Sequence, residues 1–387
     1  MTSFQKQFEE VKKLIDYEDF TLLTKRIIDF TLDTDNVGFY RKTVEFLDWL
    51  DSNEKNTEQK KERYFTILNE LHQHLSQKEI ASEEEKPVLS VHNLIKSYKK
   101  SAFALGPITF NIKEGEIIGL VGENGNGKTT LLRSLCGELQ PTSGEIKYHF
   151  TYKSSYDLRS QLIYIPQRTN SWQVSLLSNL RFTAASYGIT GDENIMTVEL
   201  IIARMGLRKY RTYGWKNLSS GYKMRFELAR ALLRKPKLLL IDEPLANLDI
   251  LAQQVVLDDF RDIAGSAFRP LAIVLSSQQL YEVEKTSHNV IFLKDGAPRN
   301  LTSDTDVNYQ EIPKLIIEFE SKWGQEQLQK NLSALRLEKI QMNGGTYVAS
   351  FPSEITQDDF LKKVLDDHIP ITYFRNISQS TRRFFLS

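Results

Sequence analysis

A chain of 387 residues is longer than one hydrophobic core usually serves, so two or three domains are expected. Hydrophobic residues make up 41% and aromatic residues 11%, with 21 Phe, which is enough apolar surface to offset chain entropy and excludes a mostly disordered chain. Fifty Lys and Arg balance fifty Asp and Glu, so no whole-chain positive field exists and nucleic acid is not expected as a partner.

Cys136 is the one cysteine, which excludes an intrachain disulfide and a multi-cysteine zinc site and fits a reducing, cytoplasmic setting. The start, MTSFQKQFEEVKK, is charged where a signal peptide needs an apolar stretch. Nowhere do about eighteen uncharged apolar residues run together, so the chain is not expected to cross a bilayer.

Taken in chain order, Phe4, Phe8, Val11 and Ile15 fall on one helical face. Val44, Leu47, Trp49 and Leu50, then Tyr64, Ile67, Leu68 and Leu71, repeat the habit, so residues 1–86 read as a small all-α domain of three or four helices plus a linker. Its role is either packing alone or docking of a partner. His72 and His74 lie on different helical faces, which argues against a metal site. The run Gln77 to Lys86, with Glu83, Glu84 and Glu85 together, reads as solvated linker. From Pro87 the texture becomes short β-rich runs (Val88–Val91, Ile108–Ile112, Glu116–Val121), longer helical segments, then strands at Leu238–Ile241, Leu271–Ser276 and Val290–Leu293. This alternation predicts an α/β domain over 87–300 with a mostly parallel sheet. Residues 301–387 read strand, helix, strand, a turn at Gly344 and Gly345, strand, helix, strand, which predicts a small ferredoxin-like α+β domain. It carries no catalytic cluster, so its expected role is structural or regulatory.

The chemistry concentrates in two places. GENGNGKT, Gly122 to Thr129, lies between the apolar strand Ile117–Val121 and a helix-forming run from Thr130 to Cys136. It fits the G-x-x-x-x-G-K-[ST] phosphate loop in the strand–loop–helix setting that the motif requires. Gly122, Glu123, Asn124, Gly125, Asn126 and Gly127 would turn successive backbone N–H groups toward anionic oxygens, with the helix N-terminus at Thr130 adding its positive dipole end. Lys128 would reach the β- and γ-phosphates of ATP, and the Thr129 hydroxyl would bind Mg2+. The second place is the apolar strand Leu238–Ile241, which ends in Asp242 and Glu243. Asp242 can hold Mg2+ at the strand tip, and Glu243 is placed to polarise an attacking water.

The order of motifs resembles the nucleotide-binding subunit of ATP-binding-cassette (ABC) transporters, and the resemblance covers Pro87 to about Gly296. Leu218-Ser219-Ser220-Gly221-Tyr222 is similar to the family signature LSGGQ, and Ala246-Asn247-Leu248-Asp249 to the loop after the second carboxylate. The resemblance implies a P-loop ABC ATPase fold with a helical subdomain. It implies that Tyr98 stacks on adenine, that Gln167 touches Mg2+ and couples to a membrane partner, and that two such domains pair head to tail. Ser219, Ser220, the Gly221 backbone and Asp249 would then complete the nucleotide site from the opposite copy, which suits a γ-phosphate that needs donors on more than one side. The segment Ser171–Gly188, with Trp172, Leu176, Leu177, Asn179, Leu180 and Phe182, resembles the helical subdomain that meets a membrane subunit's coupling helix. Some of these side chains would pack and a few exposed ones would form the partner groove.

The sequence also departs from the family. Ser220 and Tyr222 replace a glycine and a glutamine of the signature. Gln278, after the strand Leu271–Leu275, stands where the family has a histidine. A glutamine can bond the γ-phosphate but cannot carry charge near neutral pH, so slower hydrolysis is expected. His288, ten residues on, is not expected to substitute.

The expected function is ATP binding and hydrolysis that drive separately encoded transmembrane permease subunits, at the inner face of the cell membrane, as a homodimer or as a heterodimer with another ABC ATPase. The direction leans to export of the ABC-2 type, on the placement of the C-terminal appendage ending in FRNISQSTRRFFLS. An import role, a weakly hydrolysing regulatory subunit and a soluble non-transport ATPase are the alternatives.

Overall fold

A computed structural model of the protein describes residues 2–53, 56–78, 86–99, 103–169, 171–300, 315–343 and 345–378. The acidic run Glu83–Glu85, the turn residue Gly344 and the tail beyond Ser378 lie outside them. Each of the first four helices starts on a side chain that takes up a free N–H: α1 (Ser3–Asp16) on Thr2, α2 (Phe20–Asp33) on Asp19, α3 (Val37–Ser52) on Asn36 and α4 (Thr57–Leu75) on Asn56. Thr2 and Gln5 close a reciprocal capping box. Phe4, Phe8, Val11 and Ile15 are buried against Ile27, Phe30, Tyr64, Leu68 and Leu71, as the helical spacing predicts. His72 packs its ring 4.0 Å from that of Phe8, and His74 lies 4.8 Å from Phe39, so both histidines serve aromatic packing.

After the helices come β1 (Pro87–Ser97), β2 (Ala104–Lys113), β3 (Ile117–Val121), α5 (Lys128–Leu135) and β4 (Ser143–Tyr148). Strands β1 and β2 pair antiparallel with each other, and β4 pairs antiparallel on the far side of β1. The short connection between β1 and β2 dictates this, because parallel neighbours need a crossover of about a dozen residues or more. The chain continues through α6 (Ser155–Gln161), β5 (Leu162–Ile165), α7 (Leu176–Ser186), α8 (Gly191–Arg204), α9 (Ser220–Leu232) and β6 (Leu238–Ile241). Then follow α10 (Ile250–Ala264), β7 (Ala272–Ser277), α11 (Leu280–Thr286), β8 (Asn289–Lys294) and β9 (Ala297–Asn300).

These strands build the central sheet in the order β5-β6-β7-β3-β8-β9, with β5, β6, β7, β3 and β8 parallel. Every residue of β3, β6 and β7 is buried, as both-face coverage of a parallel sheet requires. The register is what positions the site. Ile165 lies opposite Ile241, Ile241 opposite Leu275, and Val121 opposite Ser277. The carboxyl ends of β3, β5, β6 and β7 therefore reach one edge together, where an open α/β sheet binds its ligand.

The chain divides into two compact units, Met1–Pro298 and Arg299–Ser387. Within the first, α2 and α3 turn a second apolar face, with Ile28, Leu32, Tyr40 and Leu47, into the core that holds Val198, Ile201 and Ile202 of α8 and Phe260 of α10. Beneath this contact lies a buried charge network. Arg204 at the end of α8 is fully enclosed and pairs with Asp259 of α10 at 2.6 Å, Asp29 of α2 at 2.8 Å and Asp262 of α10 at 3.6 Å. Lys25 reaches the same Asp259 at 2.7 Å. Burial disfavours the Arg204 charge, but the surrounding carboxylates outweigh it and raise its pKa.

The second unit contains β10 (Leu315–Ser321), α12 (Gln325–Leu332), β11 (Lys339–Asn343), β12 (Thr346–Phe351), α13 (Gln357–Asp366) and β13 (Ile371–Asn376). The order β11-β12-β10-β13, all antiparallel, is the ferredoxin-like arrangement expected from the sequence. Leu328, Leu332 and Phe360 from its helices bury against Ile317, Phe319, Ala349 and Phe351 of the sheet. Its first helix ends at Leu332, Arg336 lies in the left-handed region at φ +54°, and the following strand begins at Lys339.

Candidate functional site

The phosphate loop joins the buried end of β3 to the start of α5. Two of its glycines, Gly125 and Gly127, have φ of +87° and +98°, a region where a Cβ is strained. At Gly127 space is short as well, because a Cβ would lie 2.7 Å from Leu105 Cδ1 and 3.0 Å from Phe103 Cζ. On the other flank, Asn126 Oδ1 accepts a hydrogen bond from the Asp295 N–H at 3.2 Å, and a Cβ on Gly122 would meet the Leu293 carbonyl oxygen at 2.4 Å. The loop is thus seated between the β1–β2 hairpin and the end of β8.

At its centre the predicted residues come together. Lys128 is buried and its ammonium donates to the Gly122 carbonyl at 2.6 Å and that of Glu123 at 3.2 Å. It also forms an ion pair with Glu243 Oε1 at 3.2 Å, and that oxygen is otherwise buried without a hydrogen bond. The Thr129 hydroxyl donates to Asp242 Oδ2 at 2.7 Å. Asp242 is 2% exposed at the end of β6. Glu243, the next residue, has φ +50°, strained backbone at a site where chemistry is expected.

Two partners of this cluster were not anticipated. Ser276 on β7 donates to Asp242 Oδ1 at 2.6 Å and accepts from the Glu243 N–H at 2.9 Å. Tyr164 on β5 reaches Asp242 Oδ2 at 3.4 Å, and burial together with the nearby carboxylate pushes its phenol pKa up. The available signal for Ser276 was a pair of serines, Ser276 and Ser277, ending a fully buried strand whose first four residues are apolar.

The other predicted residues stand around this centre. Tyr98, just past β1, is 39% exposed, with the Lys96 ammonium 5.5 Å from its ring centroid. Gln167 follows β5 and Gln278 follows β7; both are exposed and stand outside the hydrogen-bonded cluster. Glu123, Asn124 and Gly125 are exposed along the loop, and Thr130 lies in the first turn of α5. Ser219 caps α9, and Asp249 caps α10 by accepting from the Ala252 N–H at 2.9 Å. Ser220 donates to the Asn247 carbonyl at 2.7 Å, and Gly221 faces Leu248 and Ala252, so within one chain the signature contacts the 247–252 segment. His288 is no substitute for a histidine at 278. Its Nδ1 accepts from the Ile117 N–H at 3.0 Å, at the opposite end of β3, roughly 13 Å from the loop at the usual strand rise.

In the 171–188 segment, Leu176 and Leu180 are buried, Leu177 packs partly, and Asn179 donates to the Gln173 and Ser175 carbonyls. Trp172 donates to Glu227 at 2.6 Å and lies under the Arg230 guanidinium at 3.5 Å. Phe182 and Val174 are the most open large apolar side chains of this segment, at 74% and 68% exposure, with Tyr187 at 38%.

Residues 105–246 match the ABC transporter family. The chain is 33% identical over 211 residues to the ABC transporter ATP-binding protein YxlF of Bacillus subtilis, covering 54% of this chain and 68% of that protein. It is 29% identical over 224 residues to the phosphonates import ATP-binding protein PhnC of Treponema denticola, covering 54% of this chain and 87% of that protein. Among solved structures it resembles cbiO1 of Clostridium perfringens, described as part of the ABC transporter complex cbiONQ, with TM-score 0.51, 26% identity, 56% of this chain and 88% of that chain. The chain belongs to the ABC transporter family, as an ATP-binding subunit with an ATP-hydrolysing domain. No helix among the described residues is long and apolar enough to cross a membrane.

Proposed function

We propose that the chain binds ATP at the Gly122–Thr129 loop and hydrolyses it as a dimer, driving separately encoded membrane subunits from the inner face of the membrane. The observation that carries this reading is the pairing of Lys128 with Glu243 and of Thr129 with Asp242 at the mouths of β3 and β6. The donor set fits a magnesium triphosphate: a hydroxyl and a carboxylate oxygen converge, a lysine lies beside them, and one buried carboxylate oxygen lacks a hydrogen bond. Thr129 and Asp242 would hold Mg2+, with Gln167 at its open side; the ion, when bound, supplies neutralising charge on the phosphate oxygens. Lys128 would exchange its two loop carbonyls for phosphate oxygens. Glu243 would accept a proton from the attacking water, its carboxylate freed as the lysine turns to the nucleotide. Tyr98 would stack on the adenine. Ser219, Ser220, Gly221 and Asp249 are exposed or half-buried on the 219–252 surface, which suits a role toward a second chain's loop. Phe182 and Val174 are the side chains best exposed for a membrane subunit's helix.

The expected export direction finds no support in the relatives named above, since the one whose name gives a direction is an import protein. A slow hydrolysis rate remains part of the proposal because Gln278 is exposed at the end of β7, where it can bond a phosphate but cannot carry a proton charge. The test is a titration of the full chain with a fluorescent ATP analogue and Mg2+, alongside phosphate release. Lys128→Ala should weaken binding by about tenfold or more, the worth of a charged hydrogen bond. Glu243→Gln should keep binding and lose turnover. Unchanged affinity in the first or unchanged turnover in the second refutes the assignment.

A further inference from the structure

We propose that Ser276 is a positioning residue for hydrolysis, its one hydroxyl holding both Asp242 and Glu243 in working orientation. The proposal rests on the roles given above to those two carboxylates. Ser276 lies on β7, fully buried, behind the apolar run Ala272–Leu275. It donates at 2.6 Å to Asp242 Oδ1 and accepts at 2.9 Å from the Glu243 N–H. A carboxylate can only accept and an amide can only donate, so the position of the hydroxyl proton is fixed by its two neighbours.

Two consequences follow from that fixed proton. With Oδ1 tied to β7, the Asp242 carboxylate cannot rotate, and its other oxygen is presented to the Thr129 hydroxyl at 2.7 Å and the Tyr164 hydroxyl at 3.4 Å. The Glu243 peptide, meanwhile, is held with φ at +50°, a conformation an ordinary residue leaves unless its surroundings enforce it. That backbone setting places the Glu243 carboxylate 3.2 Å from the Lys128 ammonium. Ser276 thereby joins the two carboxylates of β6 to the strand that precedes Gln278. Without the hydroxyl, a buried carboxylate oxygen and a part-buried N–H lose their partner at once.

The test compares Ser276→Thr with Ser276→Val in the full chain, two substitutions of equal shape that differ in the hydroxyl. Phosphate release by the Val variant should fall roughly 10–100-fold below that of the Thr variant, the usual scale for losing a partner that orients a ligating group. The Mg2+ concentration that half-saturates binding of a fluorescent ATP analogue should rise by about tenfold in Val relative to Thr, while affinity without Mg2+ stays within about threefold. Ser276→Ala, which adds no bulk, should follow Val on both readouts. Equal turnover and equal Mg2+ dependence in the Thr and Val variants overturns the proposal, as does an Ala variant that matches Thr. Asp242→Asn and Glu243→Gln are run alongside. If they also turn over like wild type, the assignment of the carboxylates has failed; if they lose turnover while Thr and Val agree, only the role of Ser276 has.

Discussion

Replacing Arg204 by methionine should destabilise the first unit severely, and the magnitude follows from what the guanidinium leaves behind. Its side chain is 1% exposed, and Asp259, its nearest partner, is equally enclosed. Among the described residues, removing the arginine leaves Asp259 with Lys25 at 2.7 Å, while Asp29 and Asp262 keep Arg26 at 3.8 Å and 3.7 Å. Uncompensated buried charge of this kind costs about 3–5 kcal/mol when one partner is removed. A whole domain is stable by only about 5–15 kcal/mol, so the urea unfolding midpoint followed by circular dichroism should drop by about a fifth or more. Replacing both ends restores the balance of charge in the network, with Lys25 and Arg26 against Asp29 and Asp262. Arg204→Met with Asp259→Leu should therefore recover at least about 2 kcal/mol over Arg204→Met alone, because matched apolar pairs often stand in for buried ion pairs without loss. A single variant within about 1 kcal/mol of wild type, or a double variant no better than the single, would show that the network is not enclosed as described.

Gly127→Ala should abolish binding of a fluorescent ATP analogue, since φ is +98° and the added methyl would lie 2.7 Å from Leu105; retained affinity would mean the loop relaxes freely. Asp262 has its carboxyl pKa raised by burial, only partly offset by Arg204 and Arg26. The native state thus holds that proton to higher pH than the unfolded chain, and the cost of the ionised form appears as pH rises above the ordinary carboxylate value of 3.8 through the raised native value. Asp262→Asn should gain urea resistance relative to wild type between pH 4 and pH 7, by the direction of that shift; a gap that stays level or shrinks contradicts it. Leu180→Ala, at a fully buried position, should cost about 2–5 kcal/mol, whereas Phe182→Ser, two residues on and 74% exposed, should stay within about 0.5 kcal/mol in the same unfolding assay. Gln278→His should raise phosphate release with little change in ATP affinity, and a rate equal to wild type would remove glutamine as the cause of slow turnover.

What the sequence made legible was local. The phosphate loop carries its own signature because glycine, lysine and threonine at fixed spacing are demanded by one anion, and Leu238–Ile241 announces itself as a strand by four apolar residues ending in two carboxylates. The ferredoxin-like unit was readable for the same reason, since each helix and strand in it shows its own period and the chirality of short connections leaves few ways to assemble them. The pairing of β1 with β2 was not readable because apolar alternation gives a strand but not its neighbour; the length of the connection decides parallel from antiparallel.

Pairings across the sheet were hidden for a different reason. Asp242 and Ser276 are 34 residues apart, and nothing in either segment specifies that β6 and β7 lie side by side with Ile241 opposite Leu275. Once that register is set, the alternation of side chains along a strand puts Ser276 on the same face as the carboxylate, and a slip of one residue would turn it to the other face. Arg204 obeys the same logic on a larger scale. As sequence it is an ordinary basic residue at the end of a helix, where it would be expected to reach solvent and favour the dipole. It is buried because α2 brings Asp29 over it while α10 supplies Asp259 and Asp262 from below, so its charge has meaning only after three helices have met. The four N-terminal helices are consequently more than an appendage on the nucleotide-binding core. By contributing Lys25 and Asp29 to a network whose other members sit on α8 and α10, they tie the helical segment after Gln167 to the helix capped by Asp249. Any relative movement of α8 and α10 must therefore break charge pairs that α2 holds in place.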